Sequence, residues 1–492
     1  MDADVVVIGG GLSGLVTSAL LAETGRRVVL LERHYALGGC LQRFVRRGVR
    51  FDTGFHYFGQ SDRGRPMRRM LERLGVWHAL TPVMLSEDAA FDVREGSRAF
   101  CIPGRFERFL ERAAVNWPGE RAALGAFATD TDAEISRHRW FALREPEHEA
   151  THVEASRTFA DYARERFGDP ALGRLLGRFA LNLGLRADEV PFYKFALAFR
   201  GVLDATSRLV GGGGALVRAL AERARALGVD VRTRREVVRL RCSDGRAIVA
   251  ETACGERLAA DLFVATCHPK VIVRALDADA IRPVFREHVM EYRESRGAVQ
   301  AFARLRFRPP AGTPTCVLVC DDEGTATIPP LGGALIVVPD EAEDAEAGGP
   351  RLEVLAYVDY APFAACARRS PVASGPDYEL LKDAYANRLV ALAERALPGI
   401  SALIIDRYAA TPLTTERFTA NEHGGAFGVS HDVGQTGAHR PQPRLRLRNL
   451  VFAGHSVHLP GVMGVMINAF ETCARLPGGE GLFRSVAGHC IP

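Results

Sequence analysis

An α/β fold is predicted, in which a Rossmann-like domain with a parallel sheet is interleaved with an α+β cap domain. Three observations predict it. The chain opens on four apolar residues, 5–8, followed by glycines 9, 11 and 14 in the spacing G-x-G-x-x-G. A second apolar run, 28–31, ends in an acid, Glu32, eighteen residues after Gly14. A further strand, turn and helix pattern returns near the other end, at 450–473. Between these lie stretches of different texture, first rich in aromatic helix-like segments and then in apolar strands.

Residues 5–8 read as a buried parallel strand and 15–22 as the helix after it. Gly9 permits the tight turn, Gly11 lets a pyrophosphate approach the backbone, and Gly14 lets helix and strand pack closely. The free N–H groups of the first helical turn then face the phosphates. Residues 28–31 form the second strand, and Glu32 at its end accepts both hydroxyls of an adenosine ribose. This combination of strand, turn, helix and spaced acid predicts a dinucleotide site, where a glycine-rich turn alone would leave Glu32 unexplained.

The continuation favours FAD over a nicotinamide. Arg33 follows Glu32, and Gly38-Gly39-Cys40 offers a second close backbone approach to the pyrophosphate. Residues 49–59 alternate into a turn at Gly54, and 65–76 carry Met67, Met70, Leu71 and Leu74 at helical spacing. From 91 to 204 the pattern changes: 106–117 and 159–183 look helical, and 192–203 is aromatic and apolar. At 205–275 the chain returns to the first domain, with an amphipathic helix at 215–227 and strands at 229–233, 236–241 and 261–266. Asp244-Gly245 marks a hairpin. Glycines 211–214 precede a helix, but no further glycine falls in register and no acid follows, so no separate NAD(P) domain is expected.

Strands are expected at 299–307, 316–320, 334–338 and 352–358, a surface loop at the acidic 339–350, and a long helix at 376–397. Cys316 and Cys320 should share a face. At 450–456 a strand and sharp turn lead to Pro460-Gly461-Val-Met-Gly464 and an apolar helix, 465–473. Such a helix N-terminus can set its positive end against the N1–O2 edge of a reduced isoalloxazine. The FAD-binding domain is therefore expected over 1–90, 205–275 and 405–492, and the substrate or cap domain over 91–204 and 276–404.

With 492 residues, 47% hydrophobic and 25% charged, the chain is globular and too long for one simple core. A net charge of +4 gives no reason to invoke nucleic acid. Lys194, Lys270 and Lys382 are the only lysines, so 60 of 63 basic residues are arginine, a bias expected of a GC-rich genome. Ten scattered cysteines contain no C-x-x-C pair, so neither a metal site nor a disulfide framework is expected. Reduced thiols suit a cytoplasmic protein. The apolar runs 5–22 and 450–470 belong to a domain core rather than to membrane spans, and peripheral membrane contact is left open.

Together these pieces resemble the carotenoid desaturase, carotenoid isomerase and retinol saturase family of FAD-dependent oxidoreductases. The carrying residues are 6–14, 32–40, Phe51-Asp-Thr-Gly-Phe-His56-Tyr57, Thr411-Pro-Leu-Thr414, Gly424-Gly-Ala-Phe-Gly428, Gly454-His-Ser and 460–464. The resemblance is strong over the first 60 and last 85 residues and weak over 91–150 and 280–400. It implies that Gly9, Gly11, Gly14, Glu32, Arg33, Gly38 and Gly39 hold FAD. It also implies that Val237 or its neighbour pairs with the adenine through backbone, and that Gly454, Met463 and Gly464 lie along the ribityl chain and flavin. Cys40 departs from the arginine of many relatives in the wider amine oxidase superfamily.

The implied chemistry is hydride transfer at flavin N5 to or from a carbon of an apolar substrate, in a dry slot beside a proton carrier. Candidates for the carrier are His56, Tyr57, His455, His458 and His423, with His56, just beyond the turn at Gly54, first. Asp52 reads as an acceptor for turn N–H groups rather than as a base. Two other readings stand beside desaturation, saturation or isomerisation of an isoprenoid, carotenoid, retinoid or polyene: an amine or secondary-metabolite oxidase, and a non-catalytic escort that binds prenyl groups.

Overall fold

The computed structural model describes residues 2–96, 98–145, 157–321, 328–369, 375–443 and 447–488. Its first sheet has the order Val237–Ser243, Arg246–Thr252, Arg257–Ala265, Ala3–Ile8, Val28–Leu31, Asp230–Arg232, with Leu450–Phe452 added beside Arg257–Ala265. Ala3–Ile8 pairs in parallel with both neighbours. Its side chains are buried on both faces, which is why the segment reads as a continuous apolar run rather than an alternating one. Val5 and Val7 pack under the helices Leu12–Ala22, Gly212–Ala226 and Gly461–Ala474, whereas Val6 and Ile8 pack on the opposite side with Phe263 and Ile272. Asp244-Gly245 does close an antiparallel hairpin, between Val237–Ser243 and Arg246–Thr252.

The second sheet has the order Ile404–Ala410, Gly297–Leu305, Arg351–Val358, Ala334–Val337, Cys316–Val319, Phe91–Glu95, Arg98–Ile102. Helix Pro376–Ala396 packs through Tyr385, Leu389 and Leu392 on one face. An aromatic layer covers the other, where Phe159 stacks on Phe195 at 3.7 Å between ring centroids and Tyr162 on Phe192 at 3.8 Å. Ile404–Ala410, divided at 404/405 by the expected domain boundary, pairs wholly with Gly297–Leu305 and belongs to this second sheet.

Two other segments differ from expectation for local reasons. The helix expected at 159–183 is three pieces, Phe159–Arg166, Pro170–Gly177 and the 3₁₀ turn Arg178–Leu183. Asp169 caps a new helix whose first residue is Pro170, so the register restarts there. The expected surface loop at 339–350 contains a helix, Glu341–Ala347, closed by an Asp340/Glu343 capping box and ended by Gly348 at φ +93°. Glu343 and Asp344 are buried in it. No helix among the described residues is long and apolar enough to cross a membrane.

Candidate functional site

Two adjoining cavities lie between the sheets, sharing Gly54, Phe427, Gly461 and Val462 in their walls. The first begins at the N-terminus of helix Leu12–Ala22. Gly9 takes φ +110°, and Thr266 Oγ1 donates to its carbonyl at 2.8 Å. Gly38 N–H donates to Gly10 O at 2.8 Å, and Gly11 and Gly38 form an isolated parallel bridge. The two glycine motifs are therefore locked together as one backbone cradle. No side chain caps the helix and no acid occupies its first turn, so its N–H groups are available to an anion. Ser13 Oγ, also in this wall, is buried without a hydrogen-bond partner among the described residues.

Glu32 sits at the far wall, 8% exposed, accepting the N–H groups of Gly10 and His34, each at 2.7 Å. Each carboxylate oxygen keeps a lone pair for a further donor, as two ribose hydroxyls require. Arg33 donates to Arg417 O and lines the same cavity, as do Gly39, Cys40 and Val237. Burial pushes the Cys40 thiol up to about 11, so it is a neutral wall. Gly454, at φ +118°, and His455 line the other end. Burial, and the neighbouring His268 and Arg440, hold His455 down at about 4, and its Nε2 is buried with no partner among the described residues. This cradle, with its uncapped helix, orphaned hydroxyl and spaced acid, fits a dinucleotide.

Not every expected residue lines this cavity. Gly14 lies inside the helix, where a Cβ would overlap the carbonyl oxygen of Gly9, so its role is packing. Met463 and Gly464 line the second cavity. At the shared wall stands the N-terminus of helix Gly461–Ala474, again without side-chain cap or first-turn acid.

His56 and Tyr57 line the second cavity. Tyr57 Oη donates to Asn182 Oδ1 at 2.6 Å, and burial pushes its pKa well above the ordinary value. His56 turns Nδ1 toward Glu353 Oε2, 3.6 Å away, and its ring lines the cavity wall. Glu353 belongs to a buried charged layer beneath the turn. Its Oε1 accepts Asp52 N–H at 3.1 Å and lies 3.7 Å from Arg351. Burial would raise the Glu353 carboxyl, but His56, Arg351 and Arg208 outweigh it and hold the group below the ordinary range. Burial and the charge of Glu353 push Asp52 up to about 7, against the pull of Arg43. Asp52 Oδ1 also accepts Gly213 N–H at 2.8 Å, so it ties the strand to the start of helix Gly212–Ala226 rather than holding its own turn as expected. Arg208, paired with Glu343 at 2.8 Å, donates to the carbonyl oxygen of His56.

His423 stacks on Tyr360 at 4.5 Å and His458 lies 3.7 Å from Glu471; neither lines either cavity. Sequence reasoning missed Glu353, Asn182 and Lys194. The charges in the strand Arg351–Val358 were a usable signal for the first, since a charge in an apolar run must be paired.

A family profile described as flavin containing amine oxidoreductase matches residues 12–475. The chain is 36% identical over 123 residues to all-trans-retinol 13,14-reductase of Homo sapiens, a match covering 23% of this chain and 20% of that protein. It thus spans about a fifth of the length of the retinol reductases it matches. It is 25% identical over 507 residues to 4,4'-diapolycopene oxygenase of Methylomonas sp, covering 93% and 95% of the two chains. An oxidoreductase from Methanosarcina mazei shares the fold with a TM-score of 0.67 at 16% identity, over 95% of this chain and 99% of that one.

Proposed function

The chain belongs to the family of flavin containing amine oxidoreductases, and from that premise we propose that it works at carbon–carbon bonds of an apolar isoprenoid, carotenoid, retinoid or polyene, by desaturation, saturation or isomerisation. It is an FAD-dependent oxidoreductase. One observation carries the substrate class. The second cavity is walled by Phe141, Leu197, Leu335, Phe427 and Ile467, and among the described residues no Asp or Glu lines it. An ammonium substrate buried there would meet no carboxylate, which disfavours amine oxidation. The retinol and diapolycopene enzymes among its relatives carry the same reading.

Bound FAD supplies the centre that takes or gives hydride. The glycine cradle and Ser13 would hold its pyrophosphate, and Glu32 its ribose. The N-terminus of helix Gly461–Ala474 favours negative charge where the two cavities meet. His56 holds or takes the proton at Nε2, with Glu353 behind Nδ1 fixing the ring. Tyr57, its proton committed to Asn182, serves as a polar wall. His56→Ala should lower kcat by about 10²-fold or more while the flavin spectrum stays intact; unchanged turnover would remove His56 from this role.

Anaerobic titration of the FAD-loaded protein with polyenes, isoprenoids and amines tests the whole reading through the oxidised-flavin absorbance. Bleaching by a polyene or isoprenoid indicates dehydrogenation. Product formed only after prior flavin reduction indicates saturation or isomerisation. Bleaching by amines alone overturns the proposal. An apolar substrate of this kind resides in lipid, so we place the enzyme in the cytoplasm with peripheral membrane contact, which co-sedimentation with lipid vesicles checks.

A further inference from the structure

The three lysines of this arginine-rich chain sit in very different places. Lys382, on helix Pro376–Ala396, pairs with Glu379 at 2.9 Å near the surface. Lys270 is buried but paired with Glu294 at 2.8 Å and Glu422 at 3.5 Å. Lys194, on helix Phe192–Val202, is 2% exposed, lines the apolar second cavity, and has no carboxylate within 4.0 Å among the described residues. Its nearest polar neighbours are His431 Nδ1 and His431 O, both at 3.4 Å.

Those partners leave the amine in a particular state. His431 Nε2 lies between His455 O, at 2.9 Å, and Arg440 Nη2, at 3.2 Å, so the imidazole links the Lys194 amine to the buried guanidinium. The Lys194 amine can donate to His431 O, and no carboxylate among the described residues stands by to hold it as an ammonium. Beyond His431 stands Arg440, a buried cation that donates to the carbonyls of Gln435, Ser456 and Val457 at 3.1, 2.8 and 3.2 Å. Burial and the Arg440 charge hold the Lys194 pKa well below its ordinary value, against the pull of Asp432. Desolvation beside a second cation is the arrangement that makes a lysine nucleophilic at neutral pH.

We propose that Lys194 is a carbonyl-binding amine, which condenses with the aldehyde end of a long apolar substrate and holds it as an imine with its chain lying toward Gly461 and the cofactor cavity. The inference rests on the proposed apolar substrate and narrows it to molecules with an aldehyde terminus. The Nζ lone pair forms the C–N bond and the carbonyl oxygen leaves as water, taking both amine hydrogens; no electron is gained or lost. His431 Nδ1, 3.4 Å from Nζ, is placed to relay the proton.

The test uses the FAD-loaded enzyme, all-trans-retinal as probe aldehyde, and cyanoborohydride to fix any imine as a stable secondary amine, followed by proteolysis and mass mapping. An ordinary solvated lysine is neutral in roughly one molecule in 2500 at pH 7. The adduct should therefore fall on Lys194 in at least about tenfold excess over Lys382, with none on Lys270. Between pH 8 and pH 6 Lys194 labelling should fall less steeply than that of Lys382, a solvated lysine that loses about tenfold per pH unit. Lys194→Met with flavin bound should keep only the weak Lys382 background. Equal labelling of Lys194 and Lys382, or an unlabelled Lys194, overturns the proposal, and this result on the wild-type protein does not depend on the variant folding. The flavin readout separates the two ideas: an adduct without polyene-dependent bleaching leaves the amine site standing and sinks the reaction, and bleaching without an adduct does the reverse.

Discussion

Gly11→Ala should empty the protein of FAD without loosening its fold, whereas Gly14→Ala should do both. Gly11 has φ −74° and ψ −173°, a conformation open to alanine, and an added Cβ would meet only Gly39 Cα, at 3.9 Å. Nothing among the described residues therefore requires glycine there; a ligand lying over the backbone would. An alanine methyl would occupy the position of a close pyrophosphate. Thermal unfolding of the FAD-free protein should change by no more than about 0.5 kcal/mol, as for a substitution that meets open space. Flavin content after purification should collapse. At Gly14 the added Cβ would overlap Gly9 O and stand 3.0 Å from Thr266 Oγ1. Gly9 O is a backbone atom at a strained turn and has no rotamer to escape into. Helix Leu12–Ala22 must back away from Ala3–Ile8, costing about 3 kcal/mol or more and withdrawing its N–H groups from the phosphates. Full flavin occupancy in Gly11→Ala would show that the pyrophosphate lies elsewhere.

These two glycines explain what the sequence made legible. The first strand, turn, helix and Glu32 are specified by neighbours in the chain, so spacing alone locates them. The same holds for 450–474, although the helix begins at Gly461 rather than at 465, because Pro460 at the cap and the first-turn glycines read as turn residues. The second cavity was less legible because its chemistry is assembled across the chain. Glu353 meets His56 and Asp52 from some 300 residues away. Lys194 was conspicuous by rarity, but only its helix's packing shows that it is buried at a cavity rather than solvated. The acidic stretch 339–350 was read as surface because charge usually is. Its Asp-x-x-Glu spacing and following glycine did signal a helix. Its burial did not show in the sequence, since it depends on Arg208 and Arg351.

Glu343→Ala should accordingly be among the most destabilising single changes in the cap, not the neutral one a surface loop would allow. Arg208 and Glu343 are each 1% exposed at the side chain, and the pair is bonded at 2.8 and 3.1 Å. Removing the carboxylate leaves a buried guanidinium without its counter-charge, a change that costs about 3–5 kcal/mol, read as a large fall in melting temperature. Replacing both partners, Arg208→Met with Glu343→Leu, should recover most of that loss, because neither charge is then left unpaired. Turnover should not recover with it. Arg208 also donates to the carbonyl oxygen of His56, so the double variant frees the turn that aims His56 at the second cavity. It should melt near the wild type, keep its FAD, and show a lowered kcat. A double variant with wild-type kcat would mean that the Gly54–Tyr57 turn holds His56 without Arg208. Wild-type melting of Glu343→Ala would mean that this ion pair contributes nothing, and the cap helix Glu341–Ala347 would lose its place as a support of the site.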